Sequence, residues 1–327
     1  MRVLITGASG FLGSHVAEEL VRDGAQVRCL VRHTSKVDFL QTLPAVELCY
    51  GAVEQRETLD DAVRGCDAVV HAAGLVKAKN ADEFFDINVR GTEHLLDAVR
   101  QHAAPGFKRF VLVSSLAAVG PSYDGKPVDP EATSPVTHYG RSKRQAEDAV
   151  RAARDVPSVI LRPPMIYGPR DNESFAFFKT VSRGMLPKLG DGTNTMSVIY
   201  ASDAARACIR AISADVPPGS AYFIDDGRIY VWRDMLDDLE RALGKKAIVR
   251  FGVPFPMLRL AATASEAMGK LTGKAVMLTR DKVNELSAPH WVCDSRDAQA
   301  ALRWQPEIDW AEGTRRAAAW YRAEGWL

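Results

Sequence analysis

Over the first half of the chain, short runs of β-branched and aliphatic residues alternate with longer stretches in which apolar residues recur every third or fourth position. Strands are predicted at Val3–Thr6, Gln26–Val31, Val46–Cys49, Ala68–Ala72, Phe110–Ser115 and Ser158–Arg162. Helices are predicted at Leu12–Asp23, Leu59–Arg64, Gly91–Gln101 and Tyr139–Ala153, and Leu12, Val16 and Leu20 share one face of the first. Strands separated by helices of this length predict an α/β fold. Right-handed crossovers make it a doubly wound parallel sheet with ligands gathered at the carboxyl ends of its strands.

In the second half of the chain this regularity is lost. Pro- and Gly-rich pieces (Arg162-Pro163-Pro164, Asp191-Gly192-Thr193-Asn194, Val216-Pro217-Pro218-Gly219) separate shorter elements, and all six tryptophans follow residue 231. We therefore divide the chain into a sheet unit at 1–170, to which 195–215 returns, and a smaller α+β substrate subdomain built mainly from 171–194 and 216–327. Most of the tryptophans are expected to fill its core. The apolar stretch Phe255–Leu271 carries Arg259, Glu266 and Lys270, which excludes a membrane span. A buried amphipathic helix is expected there, with an apolar lid or a membrane-surface face as the alternatives.

Charge and cysteine content narrow the functional classes. With 42 basic against 41 acidic side chains the net charge is +1, so no bulk basic surface for nucleic acid is expected. The five cysteines are scattered without a C-x-x-C pair, and the seven histidines include no H-x-x-x-H. Neither a disulfide framework nor a metal site is predicted. Met1 leads straight into the first strand, so no signal peptide is expected and the cytoplasm is the expected location.

Thr6-Gly7-Ala8-Ser9-Gly10-Phe11-Leu12-Gly13 joins the first strand to the first helix, the setting a dinucleotide site requires. Gly7 permits the tight turn, Gly10 lets backbone approach a pyrophosphate, and Gly13 allows close helix–sheet packing. The N–H groups and dipole of the helix then face the phosphates.

With the spacing G-x-x-G-x-x-G, this segment resembles the fingerprint of the extended short-chain dehydrogenase/reductase superfamily. Further matches follow in order: His71-Ala72-Ala73-Gly74, Asn88-Val89-Arg90-Gly91-Thr92, Ser114-Ser115, Tyr139-Gly140-Arg141-Ser142-Lys143, and Arg162-Pro163-Pro164 through Pro169. The likeness covers the first two-thirds of the chain well and the last third loosely. It implies a Rossmann-type sheet, a nicotinamide cofactor, a small-molecule substrate and a homodimer. Cofactor contacts are expected from Thr6, Gly7, Ser9, Gly10, Phe11, Leu12, Gly13, Ala72, Ala73, Gly74, Ser114, Tyr139, Lys143, Pro163 and Pro164.

The second strand ends in Val31-Arg32-His33-Thr34-Ser35-Lys36, with no carboxylate to meet a ribose 2′-hydroxyl. Arg32 and Lys36 there favour a 2′-phosphate, hence NADP(H), with NAD(H) possible. The Val-Arg junction resembles that of dihydroflavonol-reductase-like enzymes. The Gly-Asp pair that such relatives place after the third strand is Gly51-Ala52 here. An adenine contact is left to a backbone group or to Glu54, or is missing.

Tyr139 and Lys143 are four apart on a predicted helix and share a face. A phenol can give a proton to a carbonyl oxygen, and a neighbouring ammonium is expected to lower its pKa. The resemblance assigns Ser115 to orient the substrate oxygen, with Ser114 as competitor. Asn88 is a candidate fourth member that holds active-site backbone or a water, or caps the following helix. Substrate contacts are expected from Ser115, Tyr139, Tyr167 and Phe175. Together with Phe177 and Phe178, the last two suggest a largely apolar substrate.

The expected function is hydride transfer between NADP(H) and a secondary alcohol or ketone, closer to ketone, sterol or flavonoid reductases than to sugar-nucleotide enzymes. The alternatives are a nucleotide-sugar epimerase or dehydratase with tightly held NAD, and a dinucleotide-binding protein without catalysis.

Overall fold

The computed structural model describes residues 1–189, 192–273, 275–276 and 278–327; Asp191 of the predicted turn at 191–194 lies outside them. In chain order the strands are β1 (Arg2–Thr6), β2 (Gln26–Val31), β3 (Val46–Tyr50), β4 (Ala68–His71), β5 (Arg109–Val113), β6 (Ser158–Arg162), β7 (Met165–Tyr167), β8 (Met185–Leu189), β9 (Thr195–Met196), β10 (Val198–Tyr200), β11 (Ser220–Phe223), β12 (Tyr230–Val231), β13 (Val249–Val253) and β14 (His290–Trp291). The helices are α1 (Phe11–Arg22), α2 (Asp38–Gln41), α3 (Leu59–Val63), α4 (Ala81–Phe85), α5 (Gly91–His102), α6 (His138–Ala152), α7 (Asn172–Ser182), α8 (Ala201–Ile212), α9 (Trp232–Leu243), α10 (Phe255–Thr272), α11 (Arg280–Ser287), α12 (Arg296–Leu302) and α13 (Trp310–Ala323).

β1–β6 and β11 form one parallel sheet in the order β11-β6-β5-β4-β1-β2-β3. This is the doubly wound Rossmann architecture, with its switch point between β1 and β4. Its strands are continuously apolar because helices cover both faces. Val3 and Ile5 pack with Val27, Val70 and Val111 under α1 and α8, while Leu4 faces the opposite way with Val69, Leu112 and Ile160 under α3, α5 and α6. The six predicted strands all form, their ends within two residues of expectation.

Two assignments change. β11 and α12 fall in the segment assigned above to the second unit, yet β11 is the sheet's edge strand. Ala298 and Leu302 of α12, with Trp304, complete the core under α1 and α8. The expectation of a buried helix at 255–271 also fails: of the 18 residues of α10, only Ala262 and Gly269 are buried. A separate core joins Tyr167, Phe178, Trp232, Leu239, Trp310 and Tyr321.

His71 ends β4 and ties the switch point together. Its Nδ1 lies 2.7 Å from Thr6 Oγ1 and its Nε2 3.0 Å from Thr92 Oγ1. Burial, and after it the charge of Lys143, pushes its pKa down to about 3. The native ring therefore stays neutral where an unfolded chain takes up a proton near pH 6.5. Between these values the unfolded state binds more protons, so stability falls as pH falls, by up to about 1.4 kcal/mol per unit from this group. Urea unfolding at a series of pH values should show His71→Asn losing less stability than wild type between pH 6.5 and 4, although it starts lower.

Candidate active site

The turn after β1 is shaped for backbone approach. Gly7 has φ +75°, and a Cβ there would lie 2.7 Å from Ala73 N across the switch point. A Cβ on Gly13 would lie 2.2 Å from Gly7 O, so any side chain would push α1 off the turn. The N-cap of α1 is Gly10, no side chain caps the helix, and its first turn carries no acid. The donors of the helix start are thus presented to an anion.

This turn forms one end of a cleft of about 560 Å³ along the carboxyl ends of β1, β2, β4, β5 and β6. Thr6, Gly7, Ser9, Gly10, Phe11, Leu12 and Gly13 line it, with Ala72, Ala73 and Gly74 after β4, Ser114 and Ser115 after β5, Tyr139 and Lys143 on α6, and Pro163 and Pro164 after β6. A glycine cradle opening into a long cleft fits a dinucleotide, its diphosphate at α1. Arg32 and Ser35 border the cleft after β2, and Lys36 stands exposed one residue beyond Ser35, outside the lining. Arg32 is half-exposed, its Nη2 3.0 Å from Glu54 Oε1. Glu54 is thereby engaged with Arg32, while Gly51, Ala52 and Val53 line the cleft nearby.

Thr137 caps α6 by accepting from Gly140 N at 3.0 Å, which sets Tyr139 in the first turn and Lys143 one turn on. The Tyr139 ring lies 6.2 Å from that of Phe84. Burial pushes its phenol up to about 12; a hydrogen bond with Ser115 pulls the other way and Glu285 adds to the rise. The expectation of a lowered phenol pKa is corrected, because burial outweighs the contributions that oppose it; Lys143 Nζ itself donates to Val113 O at 2.5 Å, at the end of β5. Burial also lowers Lys143 to about 8, against the opposing charge of Glu147. At neutral pH the arrangement offers a protonated phenol and a largely charged ammonium.

The two serines separate by their partners. Ser114 Oγ donates to Glu147 Oε1 at 2.6 Å, and Glu147 is held by Arg162 through Nε at 2.9 Å and Nη2 at 2.7 Å, both side chains fully buried. The Ser114 hydroxyl is engaged in the core, whereas Ser115 Oγ accepts from Ala117 N at 3.1 Å and reaches Tyr139. Glu147 was missed in the sequence. Its one signal is the four-residue step after Lys143, and a lone helical carboxylate ordinarily marks a solvated face.

Asn88 is not a helix cap. It lies inside a π-type turn, Asp86–Arg90, between α4 and α5. Its Oδ1 accepts from Leu75 N at 2.8 Å, and its Nδ2 donates to Leu75 O at 3.2 Å and to Ser142 Oγ at 2.9 Å. Buried behind Gly74, it holds the loop after β4 to α6.

Tyr167 and Phe175 do not reach the cleft, a second correction. Tyr167 is fully buried, donates to Asp309 O at 3.1 Å and packs 4.6 Å from Trp310. Phe175 packs on Tyr321 and Trp326. Pairing of β7 with β10 and the seating of α13 turn both rings into the second core. The space beyond Tyr139 is instead a cavity of about 270 Å³, joined to the cleft at Val76, Tyr139 and Lys282. Residues 76–81 and Phe84 wall one side, and Glu266, Gly269 and Lys270 of α10 with Arg280, Lys282 and Glu285 of α11 wall the other. Among the described residues no group of three or more His, Cys, Asp or Glu is placed to hold a metal ion.

Comparison with known proteins decides the family. Residues 3–224 match the model of the NAD dependent epimerase/dehydratase family. The chain belongs to this family. It is 34% identical to a ceramide reductase of Caulobacter vibrioides over 99% of this chain and 96% of that one. It is 30% identical to a 2-alkyl-3-oxoalkanoate reductase of Stenotrophomonas maltophilia over 98% and 99%. The crystal structure of a UDP-glucose 4-epimerase from Thermotoga maritima superposes with a TM-score of 0.81 over 99% of both chains at 20% identity, a likeness of fold. The chain is an NAD(P)-dependent enzyme acting on alcohol and carbonyl groups.

Two outcomes follow from the hydroxyl partners. Ser115→Ala and Tyr139→Phe should each lower kcat at least about a hundredfold with cofactor affinity retained, the scale of a lost proton donor or its orienting bond. Ser114→Ala should instead lower thermal stability by about 1 kcal/mol and spare most of the turnover. Steady-state kinetics and thermal melts of the three variants check this, and a larger kinetic loss in Ser114→Ala would reverse the assignment.

Proposed function

We propose that the protein is an NADP(H)-dependent reductase of a ketone on a largely apolar small molecule. The observation that carries this is the position of Tyr139, at the junction of the dinucleotide cleft and a second cavity, with its phenol held protonated beside Ser115. When bound, the nicotinamide would supply the hydride. The Ser115 hydroxyl would orient the carbonyl oxygen, and Tyr139 would give that oxygen its proton. Lys143 would hold the ribose hydroxyls and keep positive charge near the phenol as the proton leaves. The glycine cradle would hold the diphosphate, and Arg32 with Ser35 a 2′-phosphate.

The relatives named for ceramide and for 2-alkyl-3-oxoalkanoates support an apolar ketone; the second cavity offers it Val76, Ala78, Ala81, Phe84 and Val276, within a lining that also carries Lys77, Lys79, Glu266, Lys270, Arg280, Asp281, Lys282 and Glu285. The lack of a carboxylate at the end of β2 disfavours the epimerase alternative with tightly held NAD. We place the enzyme in a reducing compartment, where its five free thiols would persist. NADPH oxidation assayed against long-chain ketones and UDP-sugars tests the proposal: turnover of UDP-sugars without net redox, by protein purified with bound NAD, would overturn it.

Arg32→Ala should weaken NADPH binding about tenfold to a hundredfold, the scale of lost charge-assisted hydrogen bonds, and leave NADH nearly unchanged. Titrations with both cofactors measure this, and equal losses would remove the phosphate role. Reductive kcat/KM should fall above pH about 8, as Lys143 loses its proton, while Tyr139 stays protonated to about 12. A pH–rate profile flat to pH 10 would contradict the role given to Lys143.

A further inference from the structure

The cavity beyond Tyr139 carries more positive charge than it balances. Lys77, Lys79, Lys270, Arg280 and Lys282 line it, against the carboxylates Glu266, Asp281 and Glu285. Each carboxylate is engaged within the protein. Glu266 binds Arg280 at 2.9 Å, Glu285 binds Lys282 at 2.5 Å, and Asp281 accepts from His138 N at 2.7 Å with Arg141 4.0 Å away. Lys77 is matched from outside this lining, its Nζ 3.2 Å from Glu173 Oε1. Lys79 and Lys270 have no carboxylate partner among the described residues.

These two lysines stand on opposite walls, Lys79 in the loop after β4 and Lys270 on α10. Lys270 follows Glu266 by four positions and Gly269 by one, which puts it on the side of the helix that faces the cavity. Neither lysine lines the dinucleotide cleft, which meets the cavity at Val76, Tyr139 and Lys282. A group held between them therefore lies away from a carbonyl at Tyr139, and Ala78, Ala81, Phe84 and Val276 are left for an apolar chain joining the two. His138 points the same way. It lines this cavity, and its Nδ1 is buried with no hydrogen-bond partner among the described residues. Buried polar atoms almost always have a partner, and an oxygen of a ligand in the cavity would supply it.

We propose that the substrate is an anionic ketone, with a carboxylate or phosphate at the far end of its apolar chain held by Lys79 and Lys270 and accepting from His138 Nδ1. The anion site stands by itself; that the molecule it holds is a ketone rests on the reductase function proposed above.

NADPH-coupled kinetics on matched ketones of one chain length test this, the far end being a carboxylate, its methyl ester, a phosphate monoester or a trimethylammonium. Wild type should favour the carboxylate or the phosphate over the ester by about tenfold in kcat/KM, chiefly through KM, and whichever anion leads names the head group. Lys79→Gln and Lys270→Gln should each lower this anion-to-ester ratio about threefold, the scale of a partly exposed ion pair. His138→Phe should lower it as well. Lys270→Glu should narrow the gap between carboxylate and trimethylammonium by raising the rate on the latter, which loss of folding cannot do. Equal kcat/KM for anion and ester, with turnover of both, would overturn the proposal and leave the reductase function standing. Calorimetric titration with decanoate and decanol reads the anion site without turnover. Decanoate bound more tightly than decanol, by a margin that Lys79→Gln and Lys270→Gln reduce, would uphold the site even if no ketone is turned over, and the reductase function would then be refuted. Decanoate bound no more tightly than decanol would overturn the proposal.

Discussion

The buried ion pair between Glu147 and Arg162 fixes the geometry on which the site depends. Arg162 is the last residue of β6 and Glu147 sits on α6, one turn beyond Lys143, so a two-pronged bond joins sheet and helix where the cleft is formed. Ser114 supplies a third contact from the end of β5, and Arg162 Nη1 donates to Pro130 O in the loop before α6. Such a pair adds little net stability over an apolar substitute, because desolvation offsets the attraction. Breaking it by removing one partner costs about 3–5 kcal/mol, since a charge is left buried alone. Its contribution is therefore position: α6 can dock on β5 and β6 in only one register, the register that sets Tyr139 and Lys143 at the cleft.

That register gives two titrating groups opposite perturbations from a common cause. Burial disfavours charge, raising the phenol of Tyr139 and lowering the ammonium of Lys143. Glu147, fully buried and one turn from Lys143, counters the second effect and keeps the ammonium largely charged at neutral pH. The same carboxylate thus positions the helix and maintains the charge at its cleft end. Asn88 performs a related task through neutral bonds, tying Leu75 to Ser142, the residue just before Lys143. The π-type turn that carries it interrupts the α4–α5 helix to bring the amide inward, a distortion often found beside functional sites.

The sheet and its glycine turn were legible in the sequence because their signals are local. A strand covered on both faces must be apolar throughout, and the turn after β1 needs glycine where Gly7 and Gly13 meet backbone. What the sequence withheld depends on contacts distant along the chain. Phe175 follows the sixth strand as a pocket residue should, yet Tyr321 and Trp326 draw it into the second core. The apolar stretch 255–271 resembles buried helix, but burial requires a covering surface, and within the described chain only one side of α10 has one. Asn88 stands near the start of a helix in either description; only the π-type turn shows that its amide bonds a loop 13 residues earlier. The substrate-side cavity, built from residues 76–84 and 266–285, has no motif at all.

The pairing of Arg32 with Glu54 bears on how sharply the proposed cofactor preference can act. A dinucleotide bearing a free 2′-hydroxyl can leave this ion pair intact, whereas a 2′-phosphate must share the guanidinium with a nearby carboxylate. An exposed pair of this kind contributes at most about 1 kcal/mol, less than the charge-assisted bonds a phosphate forms with arginine. In the proposed function the exchange would therefore favour the phosphate while discounting its advantage, and the repulsion between phosphate and Glu54 would lower it further. With Ser35 as the other polar side chain bordering the cleft after β2, the proposed discrimination at this end would rest chiefly on the Arg32 guanidinium. That makes for a graded preference, in contrast to the exclusion of a 2′-phosphate that a carboxylate at the end of β2 would impose.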